Sequence, residues 1–239
     1  VSEPRSAAEF YERGAYYFSS RNFDGAVRDY RRALELQPDF PEAHNRLGRV
    51  LMMQGKLGEA TEEFRRAVEQ KQGNYPAAQY NLGFALQARG DLDEAIEAYD
   101  GAVKSRGGTY PDAFFQIGLA HLNRRRYREA ADALARAAEQ NNGRDADAHN
   151  QRGFALAMLE DYTGAESAFR AAIDERGGDF AEAHFRLGMM YAETGRTAEA
   201  AKELEIYIQQ EPNAENRRRG ERVLRELRRK LENEGGQPR

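Results

Sequence analysis

At 239 residues the chain is long enough for one large domain or two ordinary ones, and a composition 40% hydrophobic and 32% charged supports a folded body. It has no Cys, which excludes disulfides, zinc fingers, thiol catalysis and iron–sulfur ligation by this chain. A formal net charge of −4 and a pI near 5.8 argue against general nucleic-acid binding, and no apolar run approaches the roughly 20 residues that a membrane span needs.

The chain opens Val1-Ser2-Glu3-Pro4, without an initiating Met, as a processed or trimmed form does. A removed signal peptide or lipid-bearing Cys fits that opening, and the compartment, cytoplasmic or periplasmic, stays open. Residues 1–6 read as an N-terminal extension. From residue 7 a register takes over. Gly recurs at Gly14, Gly48, Gly83, Gly118, Gly153 and Gly188. Each is followed twelve residues on by Ala26, Ala60, Ala95, Ala130, Ala165 or Ala200, and four further on by Tyr30, Phe64, Tyr99, Leu134, Phe169 or Leu204. Three beyond that stand Ala33, Ala67, Ala102, Ala137 and Ala172, and the sixth unit breaks the series with Tyr207. The register divides residues 7–214 into six units: 7–40, 41–75, 76–110, 111–145, 146–180 and 181–214.

Each unit reads as two helices. In the second, Pro41 sits where a first-turn Pro costs nothing, and His44, Leu47, Gly48 and Leu51 follow helical spacing. Gly55-Lys56 signals a turn, Ala60, Phe64, Ala67 and Val68 form a second apolar stripe, and Gln72-Gly73-Asn74 ends it. Gly107-Gly108, Gly143 and Gly177-Gly178 are the later stops. A Gly inside a helix costs about 1 kcal/mol relative to Ala. Six of them in register therefore mark a packing demand, met if the small residues let the two helices of a pair approach closely. One pair cannot bury both its apolar faces, so neighbours must stack.

After the last unit, Val223, Leu224, Leu227 and Leu231 form one helical stripe over 215–233, surrounded by basic residues from Arg217 to Lys230. Residues 215–239 hold nine Arg or Lys against five Glu, so the body is acidic and this end basic. The segment reads as a solvating helix that covers the last apolar face, and 234–239 as a flexible tail.

The pattern resembles the tetratricopeptide repeat (TPR) family, whose signature is W-x2-L-G-x2-Y, then A-x3-F, A and P. His44, Leu47, Gly48, Leu51, Ala60, Phe64 and Ala67 carry the match in the second unit, and Phe10, Gly14, Tyr17, Ala26, Tyr30, Ala33 and Pro38 in the first. The resemblance implies an all-α fold, a right-handed superhelical solenoid of antiparallel helix pairs. Four units are 35 residues long and replace the terminal Pro by Gly- or Asn-containing stops, which predicts slightly longer loops between repeats. The pentatricopeptide RNA-binding family has 35-residue repeats too, but the Gly/Ala register and the acidic body disfavour it.

Catalytic signatures are missing: there is no P-loop, dinucleotide-binding Gly motif, H-E-x-x-H, EF-hand loop or nucleophile elbow. His44, His149 and His184 share one repeat position, about one stacked unit apart, and read as packing residues rather than metal ligands. Arg106-Gly107-Gly108 and Arg176-Gly177-Gly178 look like RNA-binding elements but are explained as a C-terminal cation with a Gly stop. The abundant carboxylates read as solvated faces paired with Arg. The chain is therefore read as a non-enzyme without metal or cofactor.

In the resembled family the concave face, lined by first-helix positions 2, 5, 6, 9, 12 and 13, binds partners. Carried over, those positions give Tyr11, Arg46, Arg49, Tyr80, Asn81, Phe84, Phe115, Gln116, Leu119, Asn150, Phe154, Phe185, Arg186 and Met189 as a partner-binding groove. Aromatic and Met side chains edged by Asn, Gln and Arg suit a peptide or helix of a protein partner. One subclass of the family clamps a C-terminal carboxylate, but Tyr11, Ala15 and Ala77 stand where that clamp wants Lys or Asn, so it is not predicted. Arg46 and Arg49 remain able to meet an acidic peptide. The leading reading is a non-catalytic interaction scaffold with a protein or peptide partner, no nucleic-acid partner and no transmembrane segment. The alternatives are an assembly lipoprotein similar to type IV pilus pilotins, on repeat count and length, and a self-associating homo-oligomeric module.

Overall fold

A computed structural model describes residues 4–235, and all of the described secondary structure is helical. The helices are α1 (Ala7–Ser19), α2 (Phe23–Leu36), α3 (Pro41–Met53), α4 (Leu57–Gln70), α5 (Pro76–Arg89), α6 (Leu92–Ser105), α7 (Pro111–Asn123), α8 (Tyr127–Gln140), α9 (Ala146–Met158), α10 (Tyr162–Glu175), α11 (Ala181–Glu193), α12 (Thr197–Gln210) and α13 (Ala214–Gly235). They fall into two compact units, residues 1–120 and 121–239, with the boundary inside α7.

Local chemistry explains the helix ends. Ser6 and Glu9 form a reciprocal capping box at α1, and Asn22, Asp145 and Asp161 each accept a backbone N–H in the first turn of α2, α9 and α10. Pro41 and Pro76 occupy the first turns of α3 and α5. Where repeats are 35 residues long, the connecting segments are 71–75, 106–110, 141–145 and 176–180, one residue longer than 37–40. Two consecutive left-handed residues absorb the extra length: Gly107 and Gly108 have φ of 67° and 88°, and the Gly108 N–H closes back on the Val103 carbonyl at 2.9 Å. Arg106 lays its guanidinium 4.4 Å from the Tyr110 ring centre, and Arg176 does the same over Phe180 at 5.1 Å. The two Arg-Gly-Gly segments are thus helix stops with stacked cations.

Helix pairing rests on the register Gly, with a partner other than the expected Ala. A Cβ on Gly48 would lie 2.7 Å from the Phe64 ring, and Gly83 and Gly153 stand in the same relation to Tyr99 and Phe169. The ring of the second helix lies directly over the bare backbone of the first, and Ala completes the wall. In the first unit the core gathers Tyr30, Leu47, Val50, Leu51 and Phe64 with Ala26, Ala60 and Ala85. In the second it gathers Phe169, Leu187, Met190, Tyr191, Leu204 and Tyr207, closed by Leu224 and Leu227 of α13. The expected stripe of α13 therefore covers the last pair, with Val223 and Leu231 packed at its edge. Gly220 of α13 lies against the Tyr207 ring, where a Cβ would come within 2.7 Å. This close approach explains why Tyr207 departs from the Ala series: a larger side chain meets a Gly on the helix that follows.

The expected tail at 234–239 needs correction at its start, because α13 continues through Gly235; positions 236–239 lie outside the described residues. The carboxylates also do more than the expected pairing within one helix. Arg31 and Glu59 at 2.8 Å and Arg65 and Glu94 at 2.6 Å join second helices of successive repeats.

Candidate functional site

The three register-related His residues are structural. His44 Nδ1 lies 2.6 Å from the Glu63 carboxylate and its Nε2 3.2 Å from the Pro38 carbonyl. His184 repeats the arrangement with Glu203 at 2.6 Å and Gly178 at 3.1 Å. Burial of His184 works against its protonation, but the Glu203 and Gly178 hydrogen bonds outweigh it and raise its pKa above the usual value. His149 Nε2 faces the Gly143 carbonyl and Glu175, each at 3.3 Å. Among the described residues no group of His and carboxylates could hold a metal ion.

The first-helix faces are different. Seven large hydrophobic side chains are exposed among the described residues, and six of them sit on first helices or at their ends: Tyr16, Met53, Phe84, Met158, Leu159 and Met189. Only Leu36 lies on a second helix. Buried faces of both helices are accounted for by the cores, so this apolar excess is not used in pairing.

In the first unit the predicted residues divide into two kinds. The polar ones tie repeat to repeat: Arg46 Nε donates to the Tyr11 hydroxyl at 3.4 Å, Asn81 Nδ2 to Asn45 Oδ1 at 2.9 Å, and Gln87 Nε2 to Gln116 Oε1 at 3.3 Å. Tyr11 also packs on Tyr30 and Phe40, with ring centres 5.7 and 5.0 Å away, and Tyr80 stacks on Tyr110 and meets Tyr99 at a tilt. Burial pushes the Tyr30 hydroxyl up to about 12, and its oxygen has no hydrogen-bond partner among the described residues. Arg49 lies with its guanidinium 5.4 Å from the Phe18 ring. Phe115, Gln116 and Leu119 are half-buried, whereas Phe84 is 43% exposed.

In the second unit Phe154, Phe185, Arg186 and Met189 converge on a cavity of about 730 Å³ between α9, α10 and α11, which Met158, Tyr162 and Met190 also line. Phe185 packs on Tyr207, ring centres 4.9 Å apart, and the Arg219 guanidinium lies 5.4 Å from its ring. Arg186 is held 5.1 Å over the Phe154 ring, by Glu182 at 2.5 Å and by Gln151 Oε1 at 3.2 Å. Asn150 corrects its sequence-based placement on the groove surface. It is 1% exposed, so no partner reaches its side chain; the carbonyl it presents to Arg186 is its visible role here. The sequence reading missed Glu160, Tyr162, Glu182 and Glu193, which form the rim of this cavity. Their position at or beside the ends of helices, not a motif, is the signal that could have found them.

Paired antiparallel helices in a 34–35-residue register define a helical-repeat protein. Tetratricopeptide repeat models match residues 11–75, 115–180 and 159–215, and a second such model matches 76–100. The chain belongs to the tetratricopeptide repeat family. A 66-residue stretch is 33% identical to small glutamine-rich tetratricopeptide repeat-containing protein 2 of Mycosarcoma maydis; the match spans 28% of this chain and 19% of that relative's length. Among solved structures, YrrB, a TPR protein with an unusual peptide-binding site, is similar at TM-score 0.68 and 22% identity over 81% of this chain and 97% of its own. Pseudomonas aeruginosa pilF is similar at TM-score 0.69 and 19% identity over 91% and 97%. These likenesses show the all-α TPR solenoid fold. No helix among the described residues is long and apolar enough to cross a membrane.

Proposed function

We propose that the protein is a non-catalytic scaffold that binds a segment of a partner protein on the faces of its first helices. The observation that carries this reading is the segregation of exposed apolar side chains: Tyr16, Met53 and Phe84 in the first unit and Met158, Leu159 and Met189 in the second. Large side chains left in water on these first helices gain most from a partner that covers them. YrrB, with its peptide-binding site, supports the same use of this fold.

A photocrosslinking amino acid placed at Phe84 or Met189, against controls at Arg65 and Lys202 on second helices, tests the reading in the native source. Partner adducts at the first pair of positions and not at the second are expected. Adducts confined to the second helices would overturn it.

A second reading, assembly factor of a type IV pilus system, is favoured by the extent of the likeness to pilF, which spans nearly all of both chains. Co-purification with outer-membrane pilus components, tested in a strain expressing the full gene, separates it from a scaffold working elsewhere.

A further inference from the structure

We propose that the cavity between α9, α10 and α11 takes an apolar side chain of a cationic protein segment: a Leu, Met or Phe flanked by Lys or Arg. This deepens the scaffold reading and rests on it, by naming the chemistry of the partner at one site.

The cavity is about 730 Å³, within the range of small-ligand sites and large enough for more than one side chain. Its mouth carries Met158 and Met189, 48% and 37% exposed, on facing first helices. Unbranched thioether chains adapt to the shape of whichever apolar group enters.

The rim decides the charge of the occupant. It holds three carboxylates, Glu160, Glu182 and Glu193, and one cation, Arg186. Arg186 is already engaged by Glu182, by Gln151 and by the Phe154 ring. Glu160 and Glu193 have no ion-pair partner among the described residues, although the chain is rich in Arg. The nearby Arg196 is turned to Glu166 and Glu199, both at 2.5 Å. Glu160 and Glu193 lie close enough to the Tyr162 hydroxyl that, after partial burial, they raise its pKa further. The cavity thus combines an apolar interior with two unneutralised carboxylates at its edge. A neutral or acidic segment covering it would strip water from those carboxylates without replacement. A cationic one restores their partners, and the like-charge alternative is penalised.

The test measures binding of the full chain to two short fluorescein-labelled peptides with the same Leu, Met and Phe anchors, one flanked by Lys and the other by Glu. At low salt the Lys peptide is expected to bind at least about tenfold more tightly, the gap closing as salt is raised. Replacing both rim carboxylates (Glu160→Gln with Glu193→Gln) should erase most of the preference. Met158→Ser with Met189→Ser should weaken the Lys peptide while leaving the helical melt intact. Equal binding of both peptides, lost in the Met variant, would overturn the charge assignment and leave the scaffold reading standing. Preference for the Lys peptide that survives both double variants, or no binding of either peptide, would overturn the cavity as the site.

Discussion

At the scale of single residues, the same amino acid has opposite effects in two settings. Gly48 is held against the fully buried Phe64 ring, so an added methyl has nowhere to go. Gly48→Ala should gain about 1 kcal/mol of helix propensity and lose about 1–3 kcal/mol to overpacking, a net loss visible as a lower Tm. Gly58, exposed in α4 with open space where a Cβ would stand, should instead be stabilised by Ala, by up to about 1 kcal/mol. His184 makes a prediction about pH. Its folded pKa is raised above the usual 6.5, so the stability it contributes is full below pH 6.5 and is lost as pH rises through the folded value. As pH rises above 6.5, thermal melts of the wild type should lose stability relative to His184→Gln, so that the difference between the two shrinks. A difference that grows with pH would contradict the His184–Glu203 pairing.

At the scale of elements, helix ends and helix contacts answer to different forces. Gly108 sits at φ 88° with open space where a Cβ would stand, so Gly108→Ala should cost about 1 kcal/mol through backbone strain alone. Chemical denaturation should register that loss without changing core packing. α13 differs from the twelve helices before it in being strongly basic on the outside yet bound inside by Leu224, Leu227 and the Gly220–Tyr207 contact. Its apolar stripe was legible from Val223, Leu224, Leu227 and Leu231. The Gly220 contact was not, because Gly220 lies 32 residues after Gly188, off the 34–35-residue register, and its ring partner on α12 is recognised only when the helices are docked.

At the scale of the whole molecule, helices contact mainly their sequence neighbours within each unit, so stability is close to a sum of local pairings. A chain ended at residue 213 should therefore lose protection from hydrogen exchange first in α11 and α12, where Tyr207 and Leu204 lose their cover, and leave α1–α6 nearly unchanged. Uniform loss of protection along the chain would show cooperativity that nearest-neighbour contacts do not supply.

The amino-acid order alone determined the period, the alternation of two helices per repeat, the stops between them and the family. These depend on spacing within about 35 residues: a Gly, an Ala and a large apolar side chain recurring on one helical face encode their own burial. The partner-facing surface was legible only in outline. Phe84, Phe154, Phe185 and Met189 do stand on first helices, but whether each is exposed, stacked or buried depends on the side chains of the next repeat. Tertiary structure alone decided that Asn150 is buried and that Arg46 and Arg186 are tied to Tyr11 and Gln151 of the preceding repeats. It also placed Glu160 and Glu193, without an ion-pair partner among the described residues, in the lining of a cavity. Burial periodicity is a local property of one helix, whereas neutralising a charge or closing a cavity needs groups that only packing brings together.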